Sequence, residues 1–170
     1  MDLNMDKCAM MYFGNNNPGY DFNFNDNGVD FPIRKSKCER DLGVYISDNL
    51  KWEQQVEVVA SSGNRALGIL KNTFVSRDRN LLNKLYKVYV RPLLDFAAPV
   101  WNPFLKKDIA KIEKVQRRFT KLHPELKDLP YQDRLKACEL QSLYERRKGG
   151  DLLQQYRIEN GYDLVKFFVT

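Results

Sequence analysis

Lys107, Lys111, Lys114, Arg118 and Lys121 recur at steps of four, three, four and three residues. That spacing stacks five cations along one side of a helix. Ile109, Ile112, Phe119 and Leu122 recur at steps of three, seven and three and share a neighbouring face, expected to be buried. A basic stripe beside an apolar one lets a helix dock on a core while offering cations to a linear polyanion, and the phosphates of a nucleic-acid strand suit that geometry. The same stripe also describes a plain solvated helix face, with Glu113 softening it slightly.

More cations follow at Lys127, Arg134, Lys136, Arg146, Arg147 and Lys148. Arg146-Arg147-Lys148 stands directly before Gly149-Gly150, which would let a phosphate come close to the backbone; an ordinary exposed helix face reads the same way. Tyr86, Tyr89, Trp101, Phe104 and Phe119 interleave with the basic residues, and their helical or turn-adjacent positions favour core packing over base stacking.

The residues that could catalyse are few. A single histidine, His123, cannot build a multi-histidine metal site, and beside Pro124 it reads as the end of a helix. No Gly-rich phosphate loop and no H-E-x-x-H is present. Two-metal nucleotidyl transfer needs clustered carboxylates, yet no two aspartates are adjacent, and Asp6, Asp41 and Asp48 read as turn and cap residues. The residues by themselves describe a binding module rather than an enzyme.

The elements that must hold these side chains follow from periodicity. Tyr20, Phe22 and Phe24 alternate with polar residues, Asn27-Gly28 supplies a tight turn, and Val29, Phe31 and Ile33 resume the alternation, which predicts a β-hairpin. Leu42, Val44 and Ile46 are expected on one face of a further strand, and MDKCAMMYF can form another. From Asp48, a plausible N-cap, the period turns helical: Trp52, Val56, Val59, Ala60, Gly63, Ala66, Leu67 and Leu70 trace one stripe. Ser76 can cap a second helix that Pro92 should kink or end. A third runs from Lys106 to Leu122, a fourth begins at Pro130, and Ser142 with Glu145 forms a capping box for a fifth that stops at Asn160-Gly161. The Pro-punctuated segment from Val90 to Pro103 reads as an elbow burying Leu93, Leu94, Phe96 and Trp101.

The expected class is α+β, a small N-terminal β-hairpin and strand element over residues 1–47, a mostly α-helical bundle over 48–161, and a tail over 162–170. The chain has 170 residues, 43% hydrophobic and 12% aromatic, enough for a core, and a net charge of +6 that favours an acidic partner. Cys8, Cys38 and Cys138 are odd in number and far apart, so neither a disulfide framework nor a zinc site is signalled. No run approaches the roughly 20 apolar residues of a membrane span, and the N-terminus is not a secretory signal. An intracellular protein, nuclear or cytoplasmic, with no membrane association is expected.

Several segments carry a resemblance. DLGVYISDNLKW, ASSGNRALGILKNTF, LYKVYVRPLLDFAAPVWNPFLKKDIAKIEKVQRRFTKL and LKDLPYQDRLKACELQSLYERRKGGDLLQQYRI occur here in that order. They resemble the region downstream of the catalytic palm in LINE-type (non-LTR, jockey-like) retrotransposon reverse transcriptases, and LNMDKCAMMYFG resembles a late palm strand. The resemblance implies a template-primer nucleic acid as partner. It makes the region after Asp48 thumb-like and puts Leu42-Gly43-Val44 at the primer-grip turn. Lys7 matches a lysine proposed to assist pyrophosphate departure. The implied nucleic-acid contacts are Leu42, Gly43, Lys107, Lys111, Lys114, Arg118, Lys121, Arg146 and Arg147.

The departures matter as much. The family's Tyr-x-Asp-Asp site, its fingers and its endonuclease have no counterpart, and Gly149-Gly150 departs from the basic-Gly pattern expected there. The magnesium ions of the parent polymerase therefore have no ligands in this sequence, and no cofactor is expected. The reading is a truncated RNA-directed DNA polymerase, inactive alone; a non-catalytic protein-interaction module and an inert relic are the alternatives.

Overall fold

The computed structural model describes residues 4, 7–14, 16–26, 28–75 and 78–163. It has the α+β class, short strands first and helices after. Two compact units meet within the chain at Gln55 and Val56.

In the first unit the strands form three separate pairs. β1 (Ala9–Met10) runs parallel to β4 (Arg34–Lys35). β2 (Asn23–Asp26) and β3 (Val29–Pro32) form the expected antiparallel hairpin, with Phe24 opposite Phe31. Of its predicted turn, Gly28 has φ +87°, while Asn27 lies outside the described residues, as does Asp6. Tyr20, Phe22, Val29 and Phe31 are exposed, so the alternation leaves this hairpin's apolar side open.

β5 (Cys38–Asp41) and β6 (Val44–Ser47) form a second antiparallel hairpin, Asp41 opposite Val44. Leu42 therefore does not lie on a strand face with Val44 and Ile46. Leu42 and Gly43 are the whole loop, with φ +45° and +88°. Positive φ at both positions is the type I′ hairpin turn, whose twist matches that of the strands, and this geometry overrides the apolar alternation. Asp48 does not cap the first helix either. Its N–H donates to the Lys37 carbonyl, the Leu50 N–H donates to the Ser47 carbonyl, and the Asn49 side chain accepts from the Lys51 N–H. The polar run after β6 thus builds a turn, and α1 (Glu53–Thr73) starts only beyond it. The Tyr45 N–H donates to Gln55 Oε1 (3.0 Å), fastening that start to β6.

The second unit is helical. Ser76 lies outside the described residues, and the Asp78 side chain caps α2 (Arg79–Leu85) by accepting from the Leu81 N–H (2.8 Å). A π-turn follows over Tyr86–Val90, then α3 (Arg91–Asp95). Pro92 accordingly neither ends nor breaks the run at its own position. A proline lacks its N–H and collides with the carbonyl four residues back. The wider π-turn immediately upstream, in which the Arg91 N–H donates to the Tyr86 carbonyl, moves that carbonyl register by one residue.

The elbow is tighter than predicted. After α3, Ala97 takes a left-handed conformation (φ +51°) and α4 (Ala98–Trp101) begins. The Trp101 indole N–H donates to the Phe96 carbonyl (2.7 Å), closing the bend. Leu94 and Trp101 are fully buried, as expected, but Leu93 and Phe96 are exposed. A five-residue helix has one inward side; Leu94 takes it, and Leu93 sits about 100° away.

α5 (Lys106–Thr120) ends two residues before Leu122. A 3₁₀ turn (Pro124–Leu126) leads to α6 (Tyr131–Ala137), with Pro130 at the N-cap rather than in the first turn. α7 (Leu143–Glu159) starts at Ser142, whose Oγ accepts from the Glu145 N–H. It stops at Asn160, with Gly161 at φ +70°, and passes straight through Gly149-Gly150. Most of the predicted tail lies outside the described residues.

Two glycines of α1 have opposite roles. A Cβ on Gly63 would lie 2.7 Å from Leu94 Cδ2 and 3.1 Å from Val115 Cγ1, so α1, α3 and α5 meet there with only a hydrogen between them. A Cβ on Gly68 meets nothing within 4 Å. Gly63→Val is expected to cost about 1–3 kcal/mol by overpacking, whereas Gly68→Ala should gain about 0.5–1 kcal/mol of helix propensity. Thermal unfolding followed by circular dichroism checks both, with shifts of opposite sign.

Candidate nucleic-acid interface

Of the seven exposed positions between Lys106 and Lys121, six carry a cation: Lys106, Lys107, Lys114, Arg117, Arg118 and Lys121. The seventh is Ala110. The two acids of α5, Asp108 and Glu113, are both buried. The stripe is therefore wider than its three-and-four spacing suggested, since Lys106 and Arg117 extend it around the helix.

This face is set by what holds the opposite one. Ile112, Val115 and Phe119 are buried, and the Phe119 ring stacks on Tyr86 with centroids 4.1 Å apart. The polar residues on that side are also satisfied. Gln116 Oε1 accepts from the Tyr86 hydroxyl (2.8 Å), and its amide nitrogen donates to the Gln141 carbonyl (2.9 Å) and to the Tyr131 hydroxyl (3.2 Å). Glu113 accepts from the Tyr131 hydroxyl through one oxygen and from the Leu143 N–H (3.0 Å) through the other. Burial raises the pKa of the Tyr86 hydroxyl; burial and the Glu113 hydrogen bond raise that of Tyr131. Both therefore stay protonated donors at neutral pH.

The five predicted stripe cations share one side of α5 but differ in surroundings. Lys111 is half-buried and ion-paired with Glu57 of α1. Arg118 donates to Asn64 Oδ1 of α1 (2.7 Å), a neutral partner that leaves its charge uncompensated. Lys107, Lys114 and Lys121 are exposed. Lys111, Lys114 and Arg118 line a groove of about 360 Å³ between α1 and α5 that Glu57, Ser61 and Asn64 complete.

One other predicted contact is buried. Arg147 is only 5% exposed, and its guanidinium lies over the Trp101 ring (4.2 Å) while donating to the Leu94 carbonyl. It braces the elbow, and nothing outside the fold reaches it. Arg134 is likewise buried, donating to Thr120 Oγ1 and the Leu129 carbonyl. A planar guanidinium can stack and fork inside a helical core in a way its sequence position does not reveal. Arg146 is accessible but paired with Asp95 (2.6 Å). Among the aromatics, Tyr86, Trp101 and Phe119 are core, but Tyr89 and Phe104 are exposed, contrary to expectation.

In the first unit Leu42 is 90% exposed at the apex of its hairpin. A left-handed leucine costs roughly 1–2 kcal/mol, so this apex combines backbone strain with a displayed apolar side chain. Gly43 beside it completes the turn, and Lys7 is exposed in a short helical turn. Among the described residues no group of three or more His, Cys, Asp or Glu could hold a metal ion.

Comparison with known proteins adds one relative. An uncharacterised protein of Caenorhabditis elegans is 29% identical over 110 residues, 63% of this chain and 56% of that protein. The chain thus spans little more than half the length of that curated relative. No protein-family model matches, and no solved structure matches. Among the described residues no helix is long and apolar enough to cross a membrane.

His123 is fully buried beyond the end of α5, edge-on to Phe119 (5.3 Å), and neither ring nitrogen has a hydrogen-bond partner. Burial lowers its pKa below 6.5; Glu125 opposes the shift and Arg79 adds to it. The unfolded chain therefore takes up this proton first as pH falls. Stability from the neutral imidazole is complete above the unfolded pKa and declines on acidification below it. Thermal unfolding at about pH 7.5 and about pH 5 should show a larger loss for the wild type than for His123→Leu; equal losses would place the acid sensitivity elsewhere.

Proposed function

We propose that this chain is a non-catalytic nucleic-acid-binding fragment of a non-LTR retrotransposon reverse transcriptase, its helices acting as the thumb that holds a template-primer duplex by its backbone. The observation that carries the reading is the exposed arc of α5 and its C-cap Lys121, six cations and one alanine with both acids of that helix buried. A duplex backbone presents one negative charge about every 1.7 Å of axis and rewards a linear row of cations without asking for base recognition. Lys114, Arg118 and Lys121 are the central phosphate contacts, with Lys107 beside them and Lys111 ion-paired with Glu57. Leu42 and Gly43 suit a primer-end positioner, since the strained apex brings backbone and an apolar side chain to one exposed point.

The test is a salt titration of binding to a blunt duplex. Three to five phosphate contacts give a log–log slope of about −2.7 to −4.5. Replacing Lys114, Arg118 and Lys121 together by Gln should lower affinity and flatten that slope by about 2.7, at roughly 0.9 per cation. Arg146→Gln should change it less, because Asp95 already pairs with Arg146. No binding at low salt, or a slope near zero, would sink the reading.

A second reading, a protein-interaction module, is favoured by the elbow. Tyr89, Leu93, Phe96 and Val100 are all exposed at steps of four, three and four. Under that reading Phe96→Asp abolishes the chain's capacity to associate with protein in sedimentation while duplex affinity stays unchanged. If only the α5 variants have an effect, the nucleic-acid reading stands.

A further inference from the structure

α5 has a second wall. Beside the α1–α5 groove, and sharing Lys114 with it, a groove of about 820 Å³ opens between α5, α6 and the start of α7. Clefts of roughly 300–1,000 Å³ are ligand-sized. Phe104, 69% exposed, and Tyr144, 54% exposed, both line it, and Tyr131 lies deeper. Exposed rings of this size, left uncovered in one groove, are unusual for packing but suit contact with another flat apolar surface.

The exposed charges of the groove have one sign. Lys106, Lys114 and Arg117 contribute to its lining from α5. Lys106 and Arg117 lie eleven residues apart, about 16 Å along the helix axis at 1.5 Å per residue. Ala110 and Ile109 line the stretch between them, leaving the middle low and apolar. The one carboxylate lining the groove is Glu113, and both its oxygens are engaged by Tyr131 and the Leu143 N–H. Arg117 covers the Tyr131 ring at 4.5 Å, so Phe104 and Tyr144 are the rings of this groove left exposed.

From these features we infer that the groove between α5, α6 and α7 binds single-stranded nucleic acid, stacking bases on Phe104 and Tyr144 while Lys106, Lys114 and Arg117 neutralise the phosphates. A strand with splayed bases is the polyanion that presents flat apolar faces and regular negative charge together. A duplex keeps its bases stacked inside and could use only the cations. This inference deepens the proposed function and rests on the same helix; Lys114 belongs to both surfaces. Lys107, Lys111, Arg118 and Lys121 are absent from the groove's lining, so the two surfaces can be separated by mutation.

The experiment uses the full chain and three fluorescent probes followed by anisotropy: oligothymidylate, an abasic strand of equal length, and a blunt duplex. The wild type should bind oligothymidylate more tightly than the abasic strand, because phosphates are shared and only bases differ. Phe104→Ala/Tyr144→Ala removes two stacked bases and should lose at least about thirtyfold for oligothymidylate, with abasic and duplex affinities unchanged. Phe104→Trp/Tyr144→Trp should restore the loss. Unchanged duplex binding also reports that the double variant is folded. Equal wild-type affinity for oligothymidylate and abasic strand, an unaltered oligothymidylate affinity in the double alanine variant, or a parallel loss on all three probes overturns the inference. Duplex binding with the expected salt slope would survive the first two of those outcomes, whereas its absence in the wild type sinks the thumb reading alone.

Discussion

Everything distinctive about this molecule depends on the polar seam along the inner side of α5. Glu113 and Gln116 are fixed by Tyr131, Tyr86, the Gln141 carbonyl and the Leu143 N–H, so one helix is pinned to four other parts of the chain. Such hydrogen bonds specify rotation about the helix axis in a way that Ile112, Val115 and Phe119 alone would not, because apolar packing tolerates sliding while a buried unpaired carboxylate does not. Once the acids point inward, only cations and Ala110 remain outside. The charge of the surface is thus a consequence of the chemistry of the core.

The elbow serves the same end. Trp101 is held by its indole bond to Phe96 and covered by the Arg147 guanidinium, which itself donates to the Leu94 carbonyl. A cation on α7, a ring on α4 and a carbonyl of α3 therefore form one unit. The aim of α5 is fixed by that unit at its beginning and by the polar seam along its length. An arginine of this kind contributes through stacking and a backbone hydrogen bond, and lysine would reproduce neither.

How much of this was legible in the sequence depended on whether the deciding force was local. The caps at Ser142 and Asn160-Gly161, the hairpin around Gly28 and the span of α5 rest on nearby residues and could be read directly. Leu42 was misplaced because alternation and turn geometry competed, and the turn won through Gly43. Arg147 and Arg134 were misread because a cation's burial is decided by rings and carbonyls far along the chain. Leu93 and Phe96 looked like core because an apolar run does not say which side of a short helix faces inward. Of the candidate interface, the central stripe was visible. Lys106 and Arg117 were missed, although counting every non-apolar position of the helix, rather than one line of cations, would have found them.

One signal in the sequence went unused and explains the π-turn. Leu82, Tyr86, Val90 and Leu94 are all buried, and each is four residues from the next. On an ideal α-helix residues so spaced advance by about 40° at each step and leave the core within three. The wide turn over Tyr86–Val90 takes up that drift and returns Leu94 to the inner side beneath Gly63. A turn of this width can absorb one extra residue without moving the frame on either side. A homologue without it would need a single-position gap there to align, with identical surroundings before and after. A homologue that kept the residue but lost the turn would have to change its inward-facing side chains all the way to Trp101.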